Sequence, residues 1–201
     1  MDTRNKLKEA KYFLDILTQA QNEADKFYYD LSAFLTAWRS VLDVMLYDFA
    51  EYYALGFNRD VEMTHKEFYA VAEVLNKTEA IRFIKWWRKT QGMLSNSPLW
   101  RKRTINVHRG YPPLVQTYNF YVPGSGGTSG TISPYVNSVS LPAHSTLGGL
   151  VPQTTPIAVS ERPDWRFSDF PNESVIDMCT KAYNEIEKIV KETEAEFNVH
   201  L

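Results

Sequence analysis

From Gly110 to Ser160 the chain contains no Asp, Glu, Lys or Arg, so every formal charge lies in the two flanks. The same block holds seven of the nine glycines and seven of the ten prolines. That composition excludes a long helix, because glycine loses too much backbone entropy there and proline removes a donor and clashes with the preceding turn. Short β-prone pieces, LVQTYNFYV and TISPYVNSVSL, lie among the turn residues. A bare loop of about fifty residues is unusual inside a compact domain. The alternating pieces and the PGSGGTSG turn therefore predict a β-hairpin or small sheet inserted at about 110–165, ordered except for a mobile tip.

The flanks carry helical periodicity. Leu7, Ala10, Phe13, Leu14 and Leu17 recur at helical spacing, and a second stripe runs Leu31, Phe34, Leu35, Trp38, Val41, Leu42, Met45, Leu46 and Phe49. Thr64 followed by Glu67 has the form of a capping box that opens a third helix with Phe68, Val71, Ala72 and Leu75. Thr78 is placed to cap a fourth helix, with Ala80, Phe83, Ile84 and Trp87 facing the core and an end near Gly92. Ser97-Pro98 reads as an N-cap followed by proline at the first helical position. This fifth helix runs towards His108 and stops at Gly110-Tyr111-Pro112-Pro113. A last helix is expected from Pro171 or Asn172, with Val175, Ile176, Cys179, Ala182, Tyr183, Ile186, Ile189 and Val190 inward. The fold class read from these patterns is all-α: one antiparallel helical bundle, 1–201, interrupted by the charge-free insertion before its last helix.

Charge arithmetic limits the partners. Twenty-two basic and 24 acidic side chains leave a net charge of −2, so affinity for nucleic acid or lipid requires a local patch. A single cysteine, Cys179, excludes an intrachain disulfide framework and fits a reducing, cytoplasmic setting. No apolar run reaches membrane-spanning length, so no membrane partner is expected. His65, His144 and His200 have no ligand spacing among them, and neither a metal nor another cofactor is expected.

The local patch lies between Arg82 and Arg109. That window contains Arg82, Lys85, Arg88, Lys89, Arg101, Lys102, Arg103 and Arg109 and no carboxylate. On the fourth helix Arg82, Lys85, Trp86 and Lys89 share the side opposite Phe83, Ile84 and Trp87, which sets an indole among cations. Cations neutralise phosphates and an exposed indole stacks an unpaired base, so the expected partner is RNA. The competing assignment is structural: the patch, Arg103 included, faces the carboxylates of the last helix from Glu173 to Glu196. Arg39 has Asp43 one turn on, which suits an intrahelical ion pair or the lining of a pocket beside the patch. His108 also suits donation to the last carbonyls of its helix. Cys179 sits on an apolar stripe as a small buried hydrophobe.

Within the patch, RKRTINVHRG places Arg103 five residues before His108. The chain here resembles the HEPN superfamily, helical bundles of which many members are metal-independent ribonucleases with an Arg-x(4–6)-His motif. The segments EAKYFLDIL and YYDLSAFLTAWRSVLDVML resemble the first two helices of such proteins, and FSDFPNESVIDMCTKAYNEIEKIV resembles the last. The resemblance implies Arg103 as phosphate clamp and His108 as general acid or base, supported by Arg39 and Asn106. Arg82, Lys85, Trp86, Lys89, Arg101, Lys102 and Arg109 would contact RNA. It also implies a homodimer and a toxin, defence or RNA-processing role, with an antitoxin or other protein as partner. A different function class is a non-catalytic interaction module that uses the uncharged insertion for partner or self-association. Nucleotide binding in the bundle groove is a third. Convergence of Arg103 and His108 within one chain requires the helix to end or distort before His108, since five helical residues turn side chains about 140° apart.

Overall fold

A computed structural model describes residues 2–109, 112–121, 127–131, 158–159 and 164–201; side chains at 106–109, 118–121, 127–131 and 158–159 lie outside that description. The described elements are α1 (Thr3–Gln19), α2 (Ala24–Tyr52), α3 (His65–Val74), α4 (Thr78–Ser95), α5 (Pro98–Arg109), β1 (Leu114–Tyr121), β2 (Gly127–Thr131), β3 (Ala158–Val159), β4 (Asp164–Phe167), β5 (Phe170–Ser174) and α6 (Val175–Phe197). The chain is mainly helical, with one small antiparallel sheet.

The long α2 stripe explains the bundle. Phe27, Leu31, Phe34, Leu35, Trp38, Val41, Leu42, Met45, Leu46 and Phe49 are all buried, and each such side chain withdrawn from water contributes roughly 1.5–3 kcal/mol. α1 folds back on α2 through 20–23, and α4 and α6 close the far end around aromatic rings. Phe49 stacks on Phe83 with centroids 3.7 Å apart, and Phe197 meets both edge-on. Indoles then lock elements together, because a buried N–H must find an acceptor. Trp38 Nε1 donates to the Ala182 carbonyl at 3.0 Å and joins α2 to α6; Trp87 Nε1 donates to the Leu42 carbonyl at 3.0 Å and joins α4 to α2.

The expected hairpin is present: β1 pairs β2 antiparallel, with Tyr121 opposite Gly127. The expected mobile tip, and most of the insertion between β2 and β4, lie outside the described residues. β4 pairs the other edge of β1 with Leu114 opposite Phe167, β5 follows on β4, and β3 pairs the distal end of β1. Alternation buries Trp165 and Phe167 of β4. Trp165 stacks on Phe27 at 4.9 Å and donates its Nε1 to the Gln21 carbonyl at 2.8 Å, which fastens the sheet to the α1–α2 turn.

Four local expectations change. The last helix begins at Val175 under a Ser174 cap whose hydroxyl accepts from Asp177 N–H, because residues 170–174 pair with β4 instead of entering the helix. α4 starts after Lys77 with no side-chain cap, so Thr78 is its first residue. It also runs through Gly92 to Ser95, because Gly92 does not take the left-handed conformation that would end it. The fold is accordingly mainly-α with a sheet, not all-α. The Thr64–Glu67 capping box forms as expected, with Glu67 N–H to Thr64 Oγ1 at 3.2 Å and Thr64 N–H to Glu67 Oε2 at 2.8 Å. Ser97 accepts from Trp100 N–H at 3.3 Å and opens α5 at Pro98.

Candidate nucleic-acid interface

α4 and α5 follow each other across Asn96 and Ser97 and carry all eight cations of the carboxylate-free window. Burial of Phe83, Ile84, Trp87, Thr90 and Leu94 fixes the roll of α4 and turns Lys85, Arg88 and Lys89 outward. All three are exposed, as is Arg101 on α5. None of the four forms an ion pair among the described residues.

The remaining candidates differ in environment. Arg82 bonds Glu79 at 3.1 Å and Glu196 of α6, and its guanidinium lies 5.1 Å from the Phe197 ring centroid. The Glu196 hydrogen bond is the main reason its pKa is raised. Its charge is therefore matched internally. Trp86 is half-buried, its ring 5.9 Å from Phe197 and 6.3 Å from Phe83, so it belongs to the edge of the core and is not the open stacking platform expected. Lys102 is the largest departure. It is 2% exposed, bonded to Asp169 in the β4–β5 turn, with its ammonium 4.8 Å from the Phe167 ring and 5.6 Å from Phe170. In this conformation it is withdrawn from the surface patch.

Arg103 is half-buried on α5, and its Nε is enclosed without a hydrogen-bond partner. Among the described residues no carboxylate of α6 pairs with it. The backbone of α5 stays helical through Arg109, so the break before His108 that convergence within one chain requires does not occur. On such a helix the positions of Arg103 and His108 are about 140° apart around the axis and about 7.5 Å apart along it, and one chain does not bring them onto one face. The side chains of Asn106, His108 and Arg109 lie outside the described residues. Arg39 forms the intrahelical pair with Asp43 at 2.6 Å, and its guanidinium covers the Trp100 ring at 4.1 Å. That position holds α5 onto α2.

α6 does not neutralise the outward face. Glu194 takes both Nε and Nη2 of Arg4 at 2.6 Å, Glu196 takes Arg82, Glu187 and Glu192 pair with Lys191 and Lys188, and Glu173 of β5 pairs with Lys181 of α6. One cation of α4 reaches α6; the others do not.

Arg88 lies outside the set expected to contact RNA, and its field reaches α3. His65, whose ring is 6.0 Å from Trp87, has its pKa lowered by partial burial and then by Arg88 and Lys66. The charge of Arg88 on α4 is thus felt at the start of α3. Nothing in the sequence spacing signals this, because it depends on how α3 packs on α4.

The other chemical candidates recede. Among the described residues no three His, Cys, Asp or Glu side chains cluster as a metal site, and no helix is long and apolar enough to cross a membrane. A groove of about 450 Å³ involves Leu7, Tyr12 and Tyr183, and one of about 600 Å³ surrounds Tyr47 and Arg59; neither includes α4 or α5. Cys179 is fully buried, and burial pushes its thiol well above the ordinary range. The native protein is expected to leave it unreacted with a water-soluble maleimide while urea-unfolded protein labels at once. Rapid labelling of folded protein would contradict that burial.

Comparison with protein-family models, with curated proteins and with solved structures finds no match for this chain.

Proposed function

We propose that this chain is a HEPN-like helical bundle that binds RNA through the exposed face of α4 and α5. The observation that supports this reading is the set of four exposed cations, Lys85, Arg88, Lys89 and Arg101, without ion-pair partners among the described residues. Such a set attracts a polyanion by releasing its condensed counter-ions, whatever the base sequence. Of the competing carboxylates on α6, Glu194, Glu196, Glu187 and Glu192 are engaged with Arg4, Arg82, Lys191 and Lys188. Contacts to the sugar–phosphate backbone dominate over base stacking, because Trp86 and Trp100 have faces committed within the fold.

Catalysis is the second layer of the same proposal. Because Arg103 and His108 diverge along one helix, a metal-independent endoribonuclease site takes Arg103 from one chain and His108 from a second copy in a homodimer. The imidazole accepts the ribose 2′-OH proton as that oxygen attacks phosphorus, and the guanidinium holds the charge that develops on the phosphoryl oxygens. The P–O5′ bond breaks and the leaving oxygen is protonated, giving a 2′,3′-cyclic phosphate and a 5′-hydroxyl. A cytoplasmic toxin or defence role with an antitoxin partner belongs to this reading.

The test is incubation of labelled single-stranded RNA with the native chain, Arg103→Ala and His108→Ala in EDTA. The expected result is salt-dependent binding by all three and cleavage by the native chain alone. Binding with no cleavage, or equal cleavage by all three, removes the nuclease and keeps the interface. Absence of binding at low salt removes both and leaves the interaction module built on the uncharged insertion.

A further inference from the structure

The β4–β5 turn sets Asp169 against Lys102, between the two other cations of the RKR run. Lys102 is 3% exposed at its side chain while Asp169 is 56% exposed, so the ammonium is covered by a turn that is itself in solvent. Asp169 is the sole carboxylate paired with Lys102 among the described residues. The Lys102 hydrogen bond holds the Asp169 carboxyl below the usual carboxylate range, so it is charged at neutral pH.

We propose that Asp169 occupies the position of an RNA phosphate at Lys102, an autoinhibitory contact that a bound strand displaces. The inference rests on the RNA-binding reading above and deepens it by naming a control on the same surface. Three observations carry it. The contact pairs an anion with the middle cation of Arg101-Lys102-Arg103, whose neighbours are exposed Arg101 and half-buried Arg103 with its unpartnered Nε. The cover is a single turn: Asp169 is 56% exposed at its side chain and Phe170 37% overall, and beneath them Phe167 is fully buried as the floor. The turn is also short, since Phe167 pairs with Phe170 and only Ser168 and Asp169 lie between. Its displacement breaks the Ser168 N–H bond to the Pro113 carbonyl at 3.1 Å, while Trp165 keeps β4 fastened to the α1–α2 turn.

A strand that displaces Asp169 gains one phosphate contact and loses the repulsion of one carboxylate. Binding of labelled oligouridylate by Asp169→Asn is therefore expected to be roughly fivefold tighter than by the native chain, with a salt slope steeper by about 0.7. Asp169→Ser, which keeps an acceptor in the turn, serves as the second neutral variant. Lys102→Met alone leaves affinity close to native, because the native ammonium is masked, and Lys102→Met in Asp169→Asn abolishes the gain. Native binding with no gain in either neutral variant overturns the contact and spares the RNA reading. No binding by the native chain or by either neutral variant overturns the RNA reading and the inference with it.

Discussion

The double variant Lys85→Glu/Lys89→Glu is expected to bind single-stranded RNA roughly 100-fold more weakly than the native chain at low salt. Both side chains are exposed, one helical turn apart on α4, and neither holds an ion pair among the described residues. Each reversal removes a cation from the patch and adds an anion that repels the strand. The neutral pair Lys85→Gln/Lys89→Gln separates contact from repulsion: with two phosphates no longer neutralised, the log–log salt slope flattens by about 1.4. Arg82→Gln provides the contrast, since Glu79 and Glu196 already balance its charge, and its effect on affinity is expected to be small. Fluorescence anisotropy over a salt series checks all three, and far-UV circular dichroism should show the native helix content throughout. An unchanged affinity in the reversal variant would sink the α4 interface.

How far these features are legible in the sequence depends on whether their cause is local. The α2 stripe from Leu31 to Phe49 is readable because burial on one helix face imposes its own period. The Thr64–Glu67 box and the Ser97-Pro98 start are readable because a cap uses neighbours in sequence. By contrast, Phe170–Ser174 is a strand because β4 lies beside it, and the segment has no alternation to announce that. The identity of the outward cations is partly legible: Lys85 and Lys89 follow from helical phase on a face the core does not need. Lys102 is not, because a lysine between two arginines reads as surface and its partner is 67 residues away. The Arg82–Glu196 pair spans 114 residues and is hidden for the same reason. The geometry of Arg103 and His108 turns on whether α5 breaks before Gly110. Helical hydrogen bonding carries the backbone through Arg109 despite the prolines beyond it.

A buried polar network at the start of the bundle sets the second expectation: Asp48→Ala should destabilise the chain by about 2–5 kcal/mol. Asp48 is fully buried on α2, and its Oδ2 accepts from Asp2 N–H and Thr3 N–H at 2.8 Å and from Thr3 Oγ1 at 2.6 Å. These donors stand at the N-terminus of α1, where backbone N–H groups have no partner within the helix. Asp2 itself makes no side-chain cap there, so a carboxylate from the neighbouring helix takes the capping role. Oδ1 accepts from Arg59 Nη2 at 2.8 Å, and Arg59 also bonds Asp2 and Glu51, which ties the 53–64 connection to both helices. Removing the carboxylate leaves buried Thr3 with an unpaired N–H and hydroxyl, each costing about 1–3 kcal/mol. Arg59 retains its two exposed partners, which limits the loss on that side. Thr3→Val, which removes one donor and keeps the shape, should cost about 1 kcal/mol. Urea unfolding distinguishes the two: a lower midpoint at unchanged slope reports the lost capping network, and a loss under about 1 kcal/mol for Asp48→Ala would show that α1 docks by its apolar face alone.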